Sequence, residues 1–256
     1  ETGTGKDLVA HAIHEASPRR DRTFFAINCA EIPKDLQESQ LFGHRKGSFT
    51  GAAADRKGLF ELAEGSTLCL DEITETTHEF QAKLLRVIQE REITAIGDSK
   101  PRKIDFRLVV ATNRDLKREV AEGRFREDLY FRLNSFPIRV PRLCDRREDI
   151  PELARYLLLE LQAKLKIPVG ELSEEALGVL TRYAFPGNVR ELVNELEGAI
   201  IRADPGTLIT EDLFSEHLRE SALASAPASQ GLEHDRMGFE RERITAALDR
   251  NDGVKA

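Results

Sequence analysis

Apolar positions change their period once along this 256-residue chain. Up to about residue 140, short and nearly unbroken apolar runs alternate with stretches whose apolar residues recur at helical spacing. Residues 23–27 (TFFAI), 67–70 (TLCL) and 106–111 (FRLVVA) are runs of the first kind. Runs without polar alternation suit strands covered on both faces, as in a parallel sheet. Residues 136–140 (FPIRV) predict a further strand, with Pro137 placing it at a strand start or a sheet edge. Between the runs, Leu8, Val9, Ala12 and Ile13 fall on one helical face, and Phe80, Leu84, Leu85 and Ile88 on another. Alternating β and α predicts an α/β layered fold with a parallel sheet core.

After Pro141 only the helical period remains. Ile150, Leu153, Leu157, Leu161 and Leu165 mark one helix, and Ala176, Leu177, Leu180 and Tyr183 a second. Asn188 reads as the N-cap of a third, with Glu191 completing a capping box. Val189, Leu192, Val193, Leu196 and Ile200 then form its buried stripe. Residues 221–231 (SALASAPASQG) have a flexible linker's composition. One more amphipathic pattern, with Phe239, Ile244, Ala247 and Leu248, occupies 236–250. The expected organisation is an α/β subdomain over 1–141, a small helical subdomain over 142–219, a linker over 220–235, and the start of another helical domain over 236–256. There is no internal repeat.

Composition narrows the classes. Hydrophobic residues are 40% of the chain, an ordinary globular share, and a chain of this length needs neither disulfide nor metal to hold a core. Lys and Arg number 38 against 45 Asp and Glu, so a net charge of −7 argues against a bulk nucleic-acid coat. No run approaches the ~18 apolar residues of a membrane span, so no membrane partner is expected. Three cysteines (Cys29, Cys69, Cys144) are far apart and odd in number, which favours a reducing cytoplasm over a disulfide framework. The chain starts at Glu1 inside a motif and stops inside a helical pattern, which reads as a piece of a longer protein.

Residues 1–6 read ETGTGK, the end of the phosphate-loop pattern G-x-x-x-x-G-K-[ST], whose opening glycine would precede Glu1. Gly3 and Gly5 let successive N–H groups turn toward an anion, Thr4 sits between them, and the following helix adds its dipole. Lys6 supplies a mobile cation for the β- and γ-phosphates. Asp7 stands where a Mg2+-binding hydroxyl is usual. A glycine turn that merely caps a helix is the alternative. The run 67–70 ends in Asp71 and Glu72. A carboxylate at a strand end beside a phosphate loop is where Mg2+ is held, so Asp71 is the metal candidate and Glu72 the general base. The run 106–111 ends in Thr112 and Asn113, a polar tip that could orient the same water or simply form a turn.

Arg126 and Arg132 flank Leu129 and Tyr130 in FREDLYFRL. Either they pair with Glu127 and Asp128 at the surface, or they reach a neighbouring subunit's γ-phosphate. Arg190, in GNVREL, is either a surface arginine or a nucleotide contact. In LFGHRKGSFTGA, Gly43, Gly47 and Gly51 surround Phe49, a pattern hostile to a helix interior and suited to a mobile contact loop or to a turn whose Phe is tucked inward. The polar, basic stretch 97–105 (GDSKPRKID) reads alone as a solvated hairpin tip.

From Glu1 to about Glu220 these motifs closely resemble the central AAA+ ATPase domain of sigma-54-dependent bacterial transcription activators. The most specific element is GSFTGA: Gly47, Ser48, Phe49, Thr50, Gly51 and Ala52 resemble the family's GAFTGA loop, which contacts sigma-54. ETGTGKD resembles a Walker A motif with an acidic residue after the lysine, which accommodates Asp7. LCLDE resembles Walker B. Asn28 resembles the switch asparagine that holds the catalytic glutamate, Asn113 with Thr112 sensor I, Arg126 and Arg132 the trans-acting arginine pair, and Arg190 sensor II. Stretch 97–105 resembles the second pore-facing loop, and 236–256 the opening helix of a helix-turn-helix domain. Two departures stand out: Ser48 replaces alanine, and Thr74-Glu75-Thr76 replace Gly-Asp-Met after Walker B.

The resemblance implies ATP and Mg2+ as cofactors, sigma-54 and the RNA polymerase holoenzyme as partners, a hexameric ring, and DNA binding by the intact parent beyond these residues. A ring that remodels a different protein is a rival reading, against which the GSFTGA loop weighs. A DNA-binding regulator with a vestigial nucleotide site is another, against which Asp71, Glu72, Arg126 and Arg132 weigh.

Overall fold

The computed structural model describes residues 1–224. The chain divides into two compact units, Glu1–Arg142 and a second that begins at Leu143. In the first unit the elements run α1 (Lys6–Glu15), β1 (Phe24–Asn28), α2 (Gln37–Phe42), β2 (Gly43–His44), β3 (Arg56–Lys57), α3 (Leu59–Leu62), β4 (Thr67–Asp71), α4 (His78–Glu90), β5 (Glu92–Ile93), β6 (Arg102–Lys103), β7 (Arg107–Val110), α5 (Leu116–Ala121) and α6 (Glu127–Leu133).

The central sheet has the order β1–β4–β7, all parallel. Its register sets Asn28 opposite Asp71 and Leu70 opposite Val110. The polar residues that end the three apolar runs therefore collect at one edge of the sheet, the carboxyl edge where ligands of such sheets bind. Strand β4 is the central strand, and Thr67, Leu68, Cys69 and Leu70 are all buried, which is why its sequence shows no alternation. Burial pushes the Cys29 and Cys69 thiols up to about 12, with Asp71 adding to both, so neither is a reactive thiolate.

Phenylalanines build the core on one side. Phe60 lies 5.3 Å from both Phe42 and Phe106, and Phe42 lies 5.6 Å from Phe80. Helix α4 starts at Thr77, whose hydroxyl accepts from the Phe80 N–H, and buries Phe80, Leu84 and Val87. Two short antiparallel hairpins, β2–β3 and β5–β6, project from this unit. At the base of the first, Gly43 (φ +81°) packs so closely on the other strand that a Cβ would sit 2.5 Å from the Arg56 carbonyl.

Two expectations fail here. Residues 136–140 form no strand: Phe136 and Ile138 are 92% and 64% exposed, and the segment has no ladder partner among the described residues. The face of α1 is also shifted. Leu8 is exposed, while Ala10 and His14 are buried, because the His14 ring reaches Thr67 Oγ1 (2.9 Å) and the Arg22 carbonyl (3.1 Å). A histidine that satisfies both ring nitrogens packs as core, and hydrophobic spacing does not see it.

The second unit packs α7 (Ile150–Leu165), α8 (Glu174–Arg182), α9 (Asn188–Arg202) and α10 (Glu216–Ala224) around Leu143, Ile150, Leu158, Leu180, Leu192 and Leu196. The α7 stripe centres on Ile150, Ala154, Leu158 and Leu161, with Leu153, Leu157 and Leu165 alongside. Asn188 is not the N-cap of α9. It is the first helical residue, with φ 55°, and its side-chain oxygen accepts from the Leu143 N–H. Glu191 still reaches back to the Gly187 N–H (2.7 Å), so half of the capping box forms one residue earlier. Helix α10 runs through Ala224, and Ala222 is fully buried, so regular structure enters the stretch that composition marked as linker. The rest of that stretch and the 236–256 helix lie outside the described residues. No helix among the described residues is long and apolar enough to cross a membrane.

Candidate functional site

The phosphate loop lies at the start of α1. Gly3 and Gly5 take φ +74° and +93°, the left-handed region open to glycine. No side chain caps α1, so its first N–H groups remain available to an anion. Thr4 is buried, and both its hydroxyl (3.2 Å) and the Lys6 ammonium (2.8 Å) donate to the Glu1 carbonyl. Asp7 lies exposed in the first turn of α1.

The sheet edge meets this loop through Asn113. Its side-chain amide donates to Thr2 Oγ1 (3.0 Å), and its backbone N–H donates to Glu72 Oε2 (3.1 Å). One residue at the tip of β7 thus ties the phosphate loop to the carboxylate that follows β4. Asp71 accepts the Glu72 N–H on Oδ1 (2.9 Å), which leaves Oδ2 without a partner among the described residues. Glu72 itself has φ 49° and ψ 50°, a left-handed conformation that costs a non-glycine residue about 1–3 kcal/mol. The Ile73 N–H to the Ala111 carbonyl (3.2 Å) holds the turn in place, so the backbone aims the Glu72 carboxylate at the phosphate loop's side of the edge. Such a kink is invisible to residue spacing.

Thr74-Glu75-Thr76, which replace Gly-Asp-Met after β4, form a set of braces. The Thr74 and Thr112 hydroxyls share a hydrogen bond (3.1 Å), Thr76 Oγ1 donates to the Ile73 carbonyl (2.6 Å), and Glu75 pairs with Arg114. They lock the exit of β4 to the tip of β7. Asn28 does not hold Glu72 in this conformation. Its amide donates to Glu31 Oε1 (3.3 Å) and accepts from the Ala30 N–H (3.0 Å), while Glu72 is taken by Asn113.

Two buried glutamines went unnoticed in the sequence. Gln37, at the start of α2, donates to the Cys29 and Glu75 carbonyls and accepts from the Thr77 N–H. Gln81, on α4, donates to the Thr76 and Arg124 carbonyls and accepts from the Arg126 N–H (2.9 Å). Gln81 therefore positions the backbone of an arginine more than forty residues away in sequence. The available signal was a polar residue on an otherwise apolar helical face.

Arg126 makes a two-point ion pair with Asp128 (3.0 and 2.7 Å), the surface alternative considered for it. Arg132, in the last turn of α6, is exposed and its guanidinium has no partner among the described residues. Arg190 is exposed on the first turn of α9, in the second unit.

The Phe49 loop caps the β2–β3 hairpin. Gly47 (φ +79°) and Gly51 (φ +103°) bend it, and Gly47 N–H to the Ala52 carbonyl (2.8 Å) closes it. Phe49 is 38% exposed and meets the His44 ring edge-on at 5.0 Å. Ala52 is buried, whereas Thr50 and Gly51 are exposed. The 97–105 stretch contributes β6 and leads into β7, and its start lies against Ser48.

A parallel sheet with a phosphate loop at one end of α1 and paired carboxylates at the carboxyl edge defines the class of phosphate-loop nucleotide-binding proteins, here followed by a helical unit. Residues 1–139 match the Sigma-54 interaction domain and residues 144–230 the AAA+ ATPase lid domain, and the chain belongs to the sigma-54 interaction domain family of AAA+ proteins. It is 48% identical over 258 residues to a Nif-specific regulatory protein of Azotobacter vinelandii, covering 100% of this chain and 49% of that protein. It is 45% identical over 261 residues to the hydrogenase transcriptional regulatory protein HoxA of Bradyrhizobium diazoefficiens, covering 99% and 53%. The chain thus spans about half the length of the curated relatives it matches. Among solved structures, NtrX of Brucella abortus in complex with ADP superposes with a TM-score of 0.79 at 34% identity, covering 95% of this chain and 54% of that one. NtrX in complex with ATP gives 0.78, also at 34%, over 98% and 57%.

Proposed function

We propose that this chain is the motor of a transcription activator: it binds and hydrolyses ATP and uses the cycle to remodel the sigma-54 RNA polymerase holoenzyme. The observation that carries the nucleotide half is the Asn113 bridge, which brings Thr2 of the phosphate loop and Glu72 to one residue. The GSFTGA loop, exposed at Phe49, carries the partner half. Family membership and the ADP- and ATP-bound relatives support both halves.

In this reading the N–H groups around Gly3, Thr4 and Gly5 and the Lys6 ammonium take the phosphates. Asp7 belongs to the same motif. The unbonded Asp71 oxygen suits a hard cation, and Mg2+ bound there with the phosphates would neutralise their charge. Glu72 accepts the proton of the attacking water, and Asn113 holds that carboxylate in place. Asn28, level with Asp71 in the sheet register, exchanges partners to report the γ-phosphate. Arg126 and Arg132 complete a neighbour's site in a hexameric ring, and Arg190 reads the nucleotide state. Gln37 links the Glu75 carbonyl to α2, which runs directly into the Phe49 hairpin, so a shift at the β4 exit has a mechanical route to the loop. Residues 47–52 then press on sigma-54. DNA contacts belong to the rest of the intact protein, and the cytoplasm is its place of work.

The test mixes the intact protein with purified sigma-54, with and without ADP and a metal fluoride that mimics the hydrolysis transition state, and follows complex formation by size-exclusion chromatography. A complex that requires the mimic and is lost in Phe49→Ala is expected. Absence of any complex from a ring that hydrolyses ATP would transfer the motor to another protein client.

A further inference from the structure

The Phe49 loop folds against His44, and one side chain ties it to two further segments. Arg45, just before the loop, sends Nε and Nη2 to Asp98 Oδ2 (2.8 and 2.7 Å) and Nη1 to Asp55 Oδ2 (3.0 Å). Asp55 lies just after the loop and Asp98 on the separate turn that precedes β6, so a single guanidinium joins both sides of the loop to a third segment. Each carboxylate is itself oriented by the backbone: Asp55 Oδ1 accepts the Lys46 N–H (2.7 Å) and Asp98 Oδ1 the Lys100 N–H (3.1 Å). Below this clamp, the Arg45 N–H donates to the Ile96 carbonyl and the Ile96 N–H to the Gly43 carbonyl, both at 2.9 Å. Above it, Ser48 lies against Gly97, where a side chain would have its Cβ 2.6 Å from the Ser48 Cβ. Hydrogen bonds to Asp98 and Asp55 hold the Arg45 guanidinium above its ordinary value; the Lys46 N–H and then Arg45 hold the Asp55 carboxyl below its own, and Arg45 and then the Lys100 N–H do the same for Asp98.

We infer that Arg45 is the positioning residue of the partner loop, a two-carboxylate clamp that keeps Phe49 folded against His44 and must release Asp98 before the loop can extend. This inference rests on the reading of residues 47–52 as the partner contact. The chemistry suits a reversible hold. A planar guanidinium can bridge two carboxylates in fixed geometry, which a lysine ammonium does less well. The Arg45 and Asp55 side chains are more than half exposed, so the pairs are solvent-screened and open at modest cost. Because Asp98 sits on a separate segment, any movement of the 97–105 stretch relative to the hairpin pulls directly on the clamp.

The measurement is the rate of thiol modification at Thr50→Cys, placed on the exposed loop tip, in the intact protein without nucleotide and with the partly exposed Cys144 replaced by serine. Cys29 and Cys69 are buried and act as internal reporters of unfolding. Asp98→Asn, which loses one screened ion pair, is expected to raise the rate about two- to fivefold, and Arg45→Ala, which loses two, by more, up to about thirtyfold, with Cys29 and Cys69 still protected. Arg45→Lys is expected to fall between these variants and the parent. Unchanged rates in both Arg45→Ala and Asp98→Asn would overturn the inference, as would modification of Cys29 and Cys69 alongside the loop, which would make Arg45 a residue of the fold. The readout needs no sigma-54. A loop that responds as expected while the parent protein, with Thr50 intact, does not bind sigma-54 in the presence of the transition-state mimic would overturn the partner reading and leave the clamp standing.

Discussion

Ser48 shows how one hydroxyl tunes a loop. Its Oγ is buried without a hydrogen-bond partner, against Gly97. A buried hydroxyl left unpaired costs about 1–3 kcal/mol, so serine at this position opposes the folded-back conformation that Arg45 supports. Alanine fits the same space without that penalty. Ser48→Ala is therefore expected to favour the folded-back loop by about 1 kcal/mol, close to a fivefold change in an opening equilibrium. Thiol modification at Thr50→Cys in the Ser48→Ala background is expected to slow by about that factor. A faster rate would mean that the hydroxyl is satisfied in solution and holds the loop down. Glu72 makes the complementary point, since its strain lies in the backbone: φ 49° is held by the Ile73–Ala111 hydrogen bond and by the side chain's contact with Asn113.

Among the elements, helix α4 joins the β4 exit to the arginine-bearing α6 segment through Gln81. Replacing this fully buried amide removes the partner of three backbone groups at once: the Thr76 and Arg124 carbonyls and the Arg126 N–H. Gln81→Ala is expected to cost about 2–4 kcal/mol, combining unpaired polar groups with a small cavity. Chemical denaturation of the parent and the variant measures that cost, and a loss below about 1 kcal/mol would mean that water replaces the amide without penalty. The same helix shows what a sequence can and cannot convey. The apolar runs at 23–27, 67–70 and 106–111 were legible as parallel strands, although only the central one is buried throughout, and the polar ends of the last two marked Asp71, Glu72 and Asn113, whereas Asn28 came from the family resemblance. Those features depend on local chemistry and period. What escaped depends on contacts across the fold. Gln37 and Gln81 look like ordinary polar residues until the backbone groups they bridge are known. His14 looks polar until Thr67 and the Arg22 carbonyl satisfy its ring. Residues 136–140 carry a strand's composition, yet a strand exists only where a neighbour accepts its hydrogen bonds. Asn188 and Glu191 had the spacing of a capping box, but the Leu143 N–H captured the asparagine.

For the whole molecule, the decisive question is whether one subunit makes a complete active site. Within a single chain, Arg126 is neutralised by Asp128, and Arg132 projects from α6 without a partner among the described residues. The Arg126–Asp128 pair does not place that arginine among Thr2, Glu72 and Asn113. If Arg132 serves a neighbour, then Glu72→Gln and Arg132→Ala damage different halves of a shared site. Each variant alone should lose ATPase activity, the arginine change by about 1,000- to 100,000-fold, because γ-phosphate charge goes uncompensated in the transition state. Mixed together, an Arg132→Ala subunit still offers Glu72, and a Glu72→Gln neighbour still offers Arg132. In a randomly mixed equimolar ring, about a quarter of the junctions would pair an intact glutamate with an intact arginine, so ATPase activity should recover to roughly that fraction of the parent's. Independent sites that each use their own arginine would give no recovery at any ratio, because every subunit would carry its own defect. Recovery that rises and falls with the mixing ratio, peaking near equal amounts, would place the arginine in trans and make ring assembly a condition of hydrolysis.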